Sequence, residues 1–219
     1  MPKEKIKRLL CDPHARGVLF LYGGTAFHFL YAVYRLFAGV FYRGEDIDAA
    51  FLFYGSLAVN RLSIILAYHK RHAPVHVSTA LVRTGRFLFL TAGCMLLLLA
   101  ETIAGARRPT YPRIALLVSG GYAMLSTVLA ALELLYLKRL GSPLLSASRA
   151  VGLASTLLSG FTFLEDLLFS LPLFSEAAKR VFLLSLGAAI LLFVLFFALG
   201  LVYAGKRQVR GNKKRNPRS

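Results

Sequence analysis

Six long apolar runs decide what this chain can become. They cover residues 17–42, 49–68, 87–105, 114–137, 144–168 and 181–204. The hydrocarbon core of a bilayer is about 30 Å thick, and a helix rising about 1.5 Å per residue needs about 20 apolar residues to cross it. Each run is close to or beyond that length. A membrane β-barrel fits poorly, because the runs are continuously apolar and rich in Leu and Ala instead of alternating. Pro109, Pro112, Pro143 and Pro172 fall at or near the edges of runs, where a helix can begin or end without losing a backbone hydrogen bond. The expected fold is all-α, a polytopic membrane bundle of six transmembrane helices over residues 17–204. A basic N-terminal segment (1–16) precedes it, and a basic, irregular tail (205–219) follows.

Composition points the same way. Hydrophobic residues make up 57% of the 219 and charged residues 17%, whereas a soluble domain has about half and about a quarter. Charge is too sparse for a disordered chain or a coiled coil, and two cysteines, Cys11 and Cys94, cannot staple a disulfide scaffold. The basic start (Lys3, Lys5, Lys7, Arg8) suits a signal peptide, but the apolar run behind it exceeds the about 15 residues of a signal core. It is expected to be a retained span.

The net charge of +17 would suggest a nucleic-acid ligand in a soluble protein. Here its distribution carries another meaning, since positively charged loops resist translocation. With the N-terminus inside, most of the Lys and Arg residues fall in cytoplasmic segments, including Lys70, Arg71, Lys138, Arg139 and the tail from Lys206 onward. Arg43, Arg107, Arg108, Arg113, Lys179 and Arg180 lie outside. Both termini are therefore expected in the cytoplasm, with the protein in the plasma membrane. Residues 206–219 suit anionic lipid headgroups, each basic residue near such a surface contributing about 1 kcal/mol. No aromatic residue is interleaved with the tail's charges, so a nucleic-acid partner is not expected.

Within the runs, ionisable groups need a reason, because a charge at the centre of a span costs about 2.5–3.5 kcal/mol or more. The candidates are His28, Arg35, Arg61, Glu101, Glu133, Glu165 and Asp166. One account is anchoring and interhelix pairing, with Arg35 and Arg61 snorkelling to the interfaces or pairing with a neighbouring helix, and Glu133 pairing with Lys138 or Arg139. The other is a substrate or proton pathway built from Arg35, Glu101 and Glu165. Adjacent Glu165 and Asp166 point about 100° apart on a helix and cannot act together as an acid–base pair. His69, His72 and His76 have spacings that suit zinc on a helix. Lys70 and Arg71 would repel the cation, however, and Pro74 interrupts the helix, so they are read as a solvated basic loop.

Gly152, Thr156 and Gly160 recur every four residues, forming a small-residue face for helix packing, inside the bundle or at a homodimer contact. HExxH, GxSxG, Walker and dinucleotide-glycine signatures are all absent from the sequence. Neither an enzyme nor a cofactor is expected.

Two stretches resemble a known family. His28-Phe29-Leu30-Tyr31-Ala32-Val33-Tyr34-Arg35-Leu36-Phe37-Ala38-Gly39 resembles the opening span of cation diffusion facilitator transporters, where Asn, Ala, Lys and Gly fall at the same spacing. Ala32 and Gly39 match, while His28 and Arg35 replace the Asn and the Lys. Ser142-Pro143-Leu144-Leu145-Ser146-Ala147, continuing to Ser155 and Ser159, resembles the start of that family's fifth span. The resemblance implies six spans with cytoplasmic ends. It also implies a metal site of two ligands from the second span and two from the fifth, which here fall at Phe53, Leu57, Val151 and Ser155. Three of these offer no lone pair to a metal, so the resemblance implies the scaffold without the divalent-metal site. Two functions stay open: a transporter-like bundle moving another small solute or ion, and a non-transporting membrane scaffold or partner subunit.

Overall fold

The computed structural model describes residues 13–43, 49–69, 74–104, 113–137, 143–171 and 174–215. Among them it forms six α-helices: α1 (Pro13–Arg43), α2 (Ala49–His69), α3 (Pro74–Ala104), α4 (Arg113–Leu137), α5 (Pro143–Ser170) and α6 (Glu176–Arg215). Their starts follow from local chemistry. Pro13, Pro74 and Pro143 each open a helix, at the one position where the missing N–H forfeits no bond and the fixed φ is already helical. Ser175 caps α6, its Oγ accepting from the Ala178 N–H at 3.3 Å, which satisfies one of the donors left over in a first turn.

Among the described residues, four helical stretches are long and apolar enough to cross a membrane: Val77–Ala104, Ile114–Leu135, Pro143–Ser170 and Glu176–Val209. The shorter apolar stretch Phe51–Ala67 lies in α2. Burial is arranged to match. Large apolar side chains such as Phe29, Leu30, Phe41, Ile114, Leu117, Met124, Leu192, Phe196 and Leu199 cover the exterior, while many of the charged and hydroxyl groups are inside. A soluble monomer rarely exposes contiguous apolar surface on this scale. The all-helical bundle fits a membrane protein.

Two boundaries differ most from the sequence expectation. α3 begins at Pro74, well before residue 87, because the mixed segment 74–86 is helix-compatible and packs against α6. α6 continues through Arg215 instead of giving way to an irregular tail at 205. Helix propagation adds one hydrogen bond per residue once started, and Lys, Arg and Gln are good helix formers.

α2 and α5 occupy the middle of the bundle. α2 packs on α1, α3 and α5, and α5 packs on α1, α2, α3, α4 and α6. The most extensive contact is between α3 and α6, which run antiparallel. A Cβ on Gly85 would lie 2.8 Å from the Ala198 carbonyl oxygen, and one on Gly205 would lie 2.9 Å from that of Ser78. These two glycines let the backbones touch where any larger residue would force them apart. The apolar core includes Leu21, Phe53, Leu57, Leu88, Met95, Leu158 and Leu183, all essentially inaccessible.

Candidate functional site

A column of polar side chains runs through the space enclosed by α1, α2, α4 and α5, with an ion pair at each end. At the end where α1 begins, Arg61 Nη1 on α2 donates to Glu133 Oε1 on α4 at 2.8 Å, and the two side chains are only 3% and 2% exposed. Burial this complete separates the pair from surface salt bridges, whose attraction water largely cancels. Two glycines make the slot. The Arg61 guanidinium lies against Gly24 of α1, and a Cβ on Gly152 of α5 would come within 2.5 Å of Glu133 Oε2 and 3.0 Å of Arg61 Nη2.

One helical turn further along both α1 and α5 sits His28. Its Nδ1 shares a hydrogen bond of 2.6 Å with the Tyr122 hydroxyl of α4 and lies 3.4 Å from Ser155 Oγ of α5. On the α4–α5 side, Ser126 and Ser159 hydroxyls bond at 2.6 Å, and Thr156 Oγ1 donates to the Ser126 carbonyl at 3.0 Å. Beyond His28, the rings of Tyr31 and Tyr122 stack with centroids 3.5 Å apart. Tyr54 meets both edge-on at 4.6 and 5.2 Å, and its hydroxyl bonds Thr162 Oγ1 at 2.9 Å. Edge-to-face geometry sets the positive ring edge on the negative ring face, which holds the three phenols in fixed places.

At the far end Arg35 closes the column. Its Nε donates to the Tyr31 hydroxyl at 3.0 Å and its Nη2 to Asp166 Oδ2 at 2.9 Å, with side-chain exposures of 4% and 11%. Beside it Thr102 Oγ1 of α3 donates to Glu165 Oε1 at 3.2 Å. Gly24 to Arg35 on α1, and Gly152 to Asp166 on α5, place the two ion pairs about 17–21 Å apart at about 1.5 Å per residue. That is over half of a hydrocarbon core.

Among the described residues, six buried side-chain polar atoms have no hydrogen-bond partner: His28 Nε2, Asn60 Oδ1, Arg61 Nε, Glu133 Oε2, Ser148 Oγ and Arg149 Nε. All but Asn60 belong to residues at the Arg61–Glu133 end of the column. Folded proteins rarely leave such groups unpaired, because each costs about 1–3 kcal/mol. They are concentrated at that end of the column.

Most of the expected polar residues thus come together, and Arg35 and Arg61 each pair with a neighbouring helix. Glu133 reaches Arg61 across the bundle; Lys138 and Arg139, its expected partners, lie outside the described residues. Glu165 and Asp166 go to separate partners, as their divergence on the helix requires. Glu101 is half-buried on α3, and Arg107 and Arg108 lie outside the described residues. Of the small-residue face, Gly152 and Thr156 meet α4, while a Cβ on Gly160 would touch nothing within 4 Å. Phe53, Leu57 and Val151 are fully buried apolar core residues, and Ser155 faces His28. His72 and the side chains of His69 and His76 lie outside the described residues. Among those described, no three His, Cys, Asp or Glu side chains gather as a metal site.

Tyr31, Tyr54, Tyr122, Ser126, Ser159, Thr162 and Gly24 were not singled out as polar members of a site by sequence. Tyrosine counts as apolar when spans are sought, so three phenols disappear into the runs. The available signal was Tyr31 one turn before Arg35, a spacing that puts hydroxyl and guanidinium on one helical face.

No protein-family model matches the sequence, and no curated protein matches it significantly.

Proposed function

We propose that the chain is a six-span membrane protein with both termini in the cytoplasm, and that the column between α1, α2, α4 and α5 carries a small solute or ion. The observation behind this is the column itself: two buried ion pairs joined by a histidine, three phenols and a run of hydroxyls along more than half of a membrane's thickness. Intramembrane charges are costly and are found mainly where they line a path or relay protons. The cluster of unpartnered atoms between Arg61 and His28 gives such a path a binding point. The resemblance to the membrane domain of cation diffusion facilitators is consistent with α2 and α5 packing together centrally. Apolar Phe53, Leu57 and Val151 argue that the cargo is not a divalent metal.

The test is isosmotic swelling of proteoliposomes, followed by light scattering, across a series of small solutes and salts. At least one should enter faster than into empty liposomes, and the double substitution R61M/E133L should abolish the difference. Zinc or manganese, followed with an internal dye, should show no flux above empty liposomes. Equal swelling with and without protein for every solute would overturn the proposal.

A second reading, a non-transporting scaffold or partner subunit, draws on one observation. The Tyr31–Tyr122 stack fills the column midway, and a sealed bundle would look the same there.

A further inference from the structure

Beside the Arg61–Glu133 end of the column, one groove joins apolar walls to a cation. Leu134 of α4, Ala150 and Leu153 of α5, and Phe196, Phe197 and Leu201 of α6 form its walls, with Ser146, Arg149 and Gly200 completing the lining. It is an open trough holding about 360 Å³, within the range of small-molecule sites, about 300–1,000 Å³. Arg149 Nη2 donates to Ser146 Oγ at 2.6 Å, while Arg149 Nε is buried with no hydrogen-bond partner.

The position along the bundle is as informative as the lining. Leu134 is near the end of α4, Ser146 and Arg149 are in the first two turns of α5, and Gly200 lies about 9–11 Å before exposed Lys206 and Arg207 on α6. Cationic groups thus gather at one level, where Arg149 also lies within electrostatic reach of Glu133, and an apolar trough runs from that level toward the middle of the bundle. The groove's outer rim is exposed Phe196, so it opens sideways, toward the lipid.

A peptide or a soluble metabolite does not match a trough that opens into hydrocarbon. A two-part molecule does: an acyl chain along Leu153, Phe196 and Leu201, with an anionic phosphate at Arg149. We propose that this groove is a binding site for an anionic phospholipid of the cytoplasmic leaflet, its phosphate held by Arg149 and Ser146. The site rests on the membrane orientation given above but not on transport. It is also separate from loose attraction of headgroups to the tail, because it is built from groups on three helices.

Native mass spectrometry of the full chain, released from micelles doped with equal phosphatidylglycerol and phosphatidylcholine, tests it. Wild type should retain phosphatidylglycerol preferentially, and R149Q should lose about fivefold or more of that preference. Gly200→Leu provides the second arm. A Cβ at Gly200 meets nothing within 4 Å and Leu suits a helix better than Gly, so the variant should fold and displace the lipid by filling the trough. Neutralising Lys206 and Arg207 should leave most of the retention. Millimolar inorganic phosphate should not compete, since it lacks the chain. Retention unchanged in both R149Q and Gly200→Leu, or abolished by the Lys206/Arg207 change alone, would place the lipid on the tail and overturn the proposal. Displacement by inorganic phosphate would make the ligand a free anion and overturn it equally.

Discussion

Replacing Arg61 by Met takes away the guanidinium 2.8 Å from the Glu133 carboxylate and leaves that carboxylate in an interior where it is 2% exposed. Glu133 Oε2 already lacks a hydrogen-bond partner, and Arg149 acts on the carboxylate only through space, so little nearby offsets the loss. Breaking a buried pair from one side costs about 3–5 kcal/mol, and replacing both partners with apolar residues of similar size is often neutral or stabilising. Arg61→Met and Glu133→Leu should therefore each destabilise the protein by about 3–5 kcal/mol. R61M/E133L should lie within about 1 kcal/mol of wild type, since Met and Leu fill the slot between Gly24 and Gly152. Reversible unfolding in mixed micelles by SDS titration, followed by circular dichroism, gives the three values. Single variants within about 1 kcal/mol of wild type would refute the reasoning, because the pair would then be as well solvated as a surface bridge. A double variant as unstable as the sum of the singles would refute it too, by showing independent contributions.

The α3–α6 contact should be intolerant of volume. Gly85→Val should lower the melting point in detergent, with a cost of about 1–3 kcal/mol, whereas Gly160→Ala, where a Cβ meets nothing, should change it little. His28→Phe removes a close partner of the Tyr122 hydroxyl and should destabilise by about 1–3 kcal/mol, read by the same SDS titration. Tags at either end should be protected from protease in sealed right-side-out vesicles and cleaved once the vesicles are opened.

The helices were legible because hydrocarbon thickness leaves so little choice: a run such as 114–137 can only be a buried or spanning helix, and the structure has α4 at Arg113–Leu137. The ends of α3 and α6 were less legible, because mixed and basic segments continue a helix through propensity and packing, which hydropathy does not register. The charged members of the column stood out for their cost in lipid, so Arg35, Arg61, Glu133 and Asp166 were all visible. Their pairing was not. Arg35 finds Asp166 and Arg61 finds Glu133 across 131 and 72 residues, and sequence carries no distance of that kind. Gly24 and Gly152 show the same limit. Each is an ordinary small residue until the opposite helix brings a guanidinium or a carboxylate against it.

The column's role is decided most directly by whether water reaches it. With Cys11 and Cys94 replaced by Ala, single cysteines at Ser155 and Ser159 would be treated in intact membranes with a charged, membrane-impermeant thiosulfonate. Leu158, fully buried among apolar side chains, supplies the control. A path for a small solute or ion should make the two column positions react at least about tenfold faster than the control, since the charged reagent travels only through water. Rates at Ser155 and Ser159 no faster than at Leu158 would contradict the account and leave a sealed scaffold.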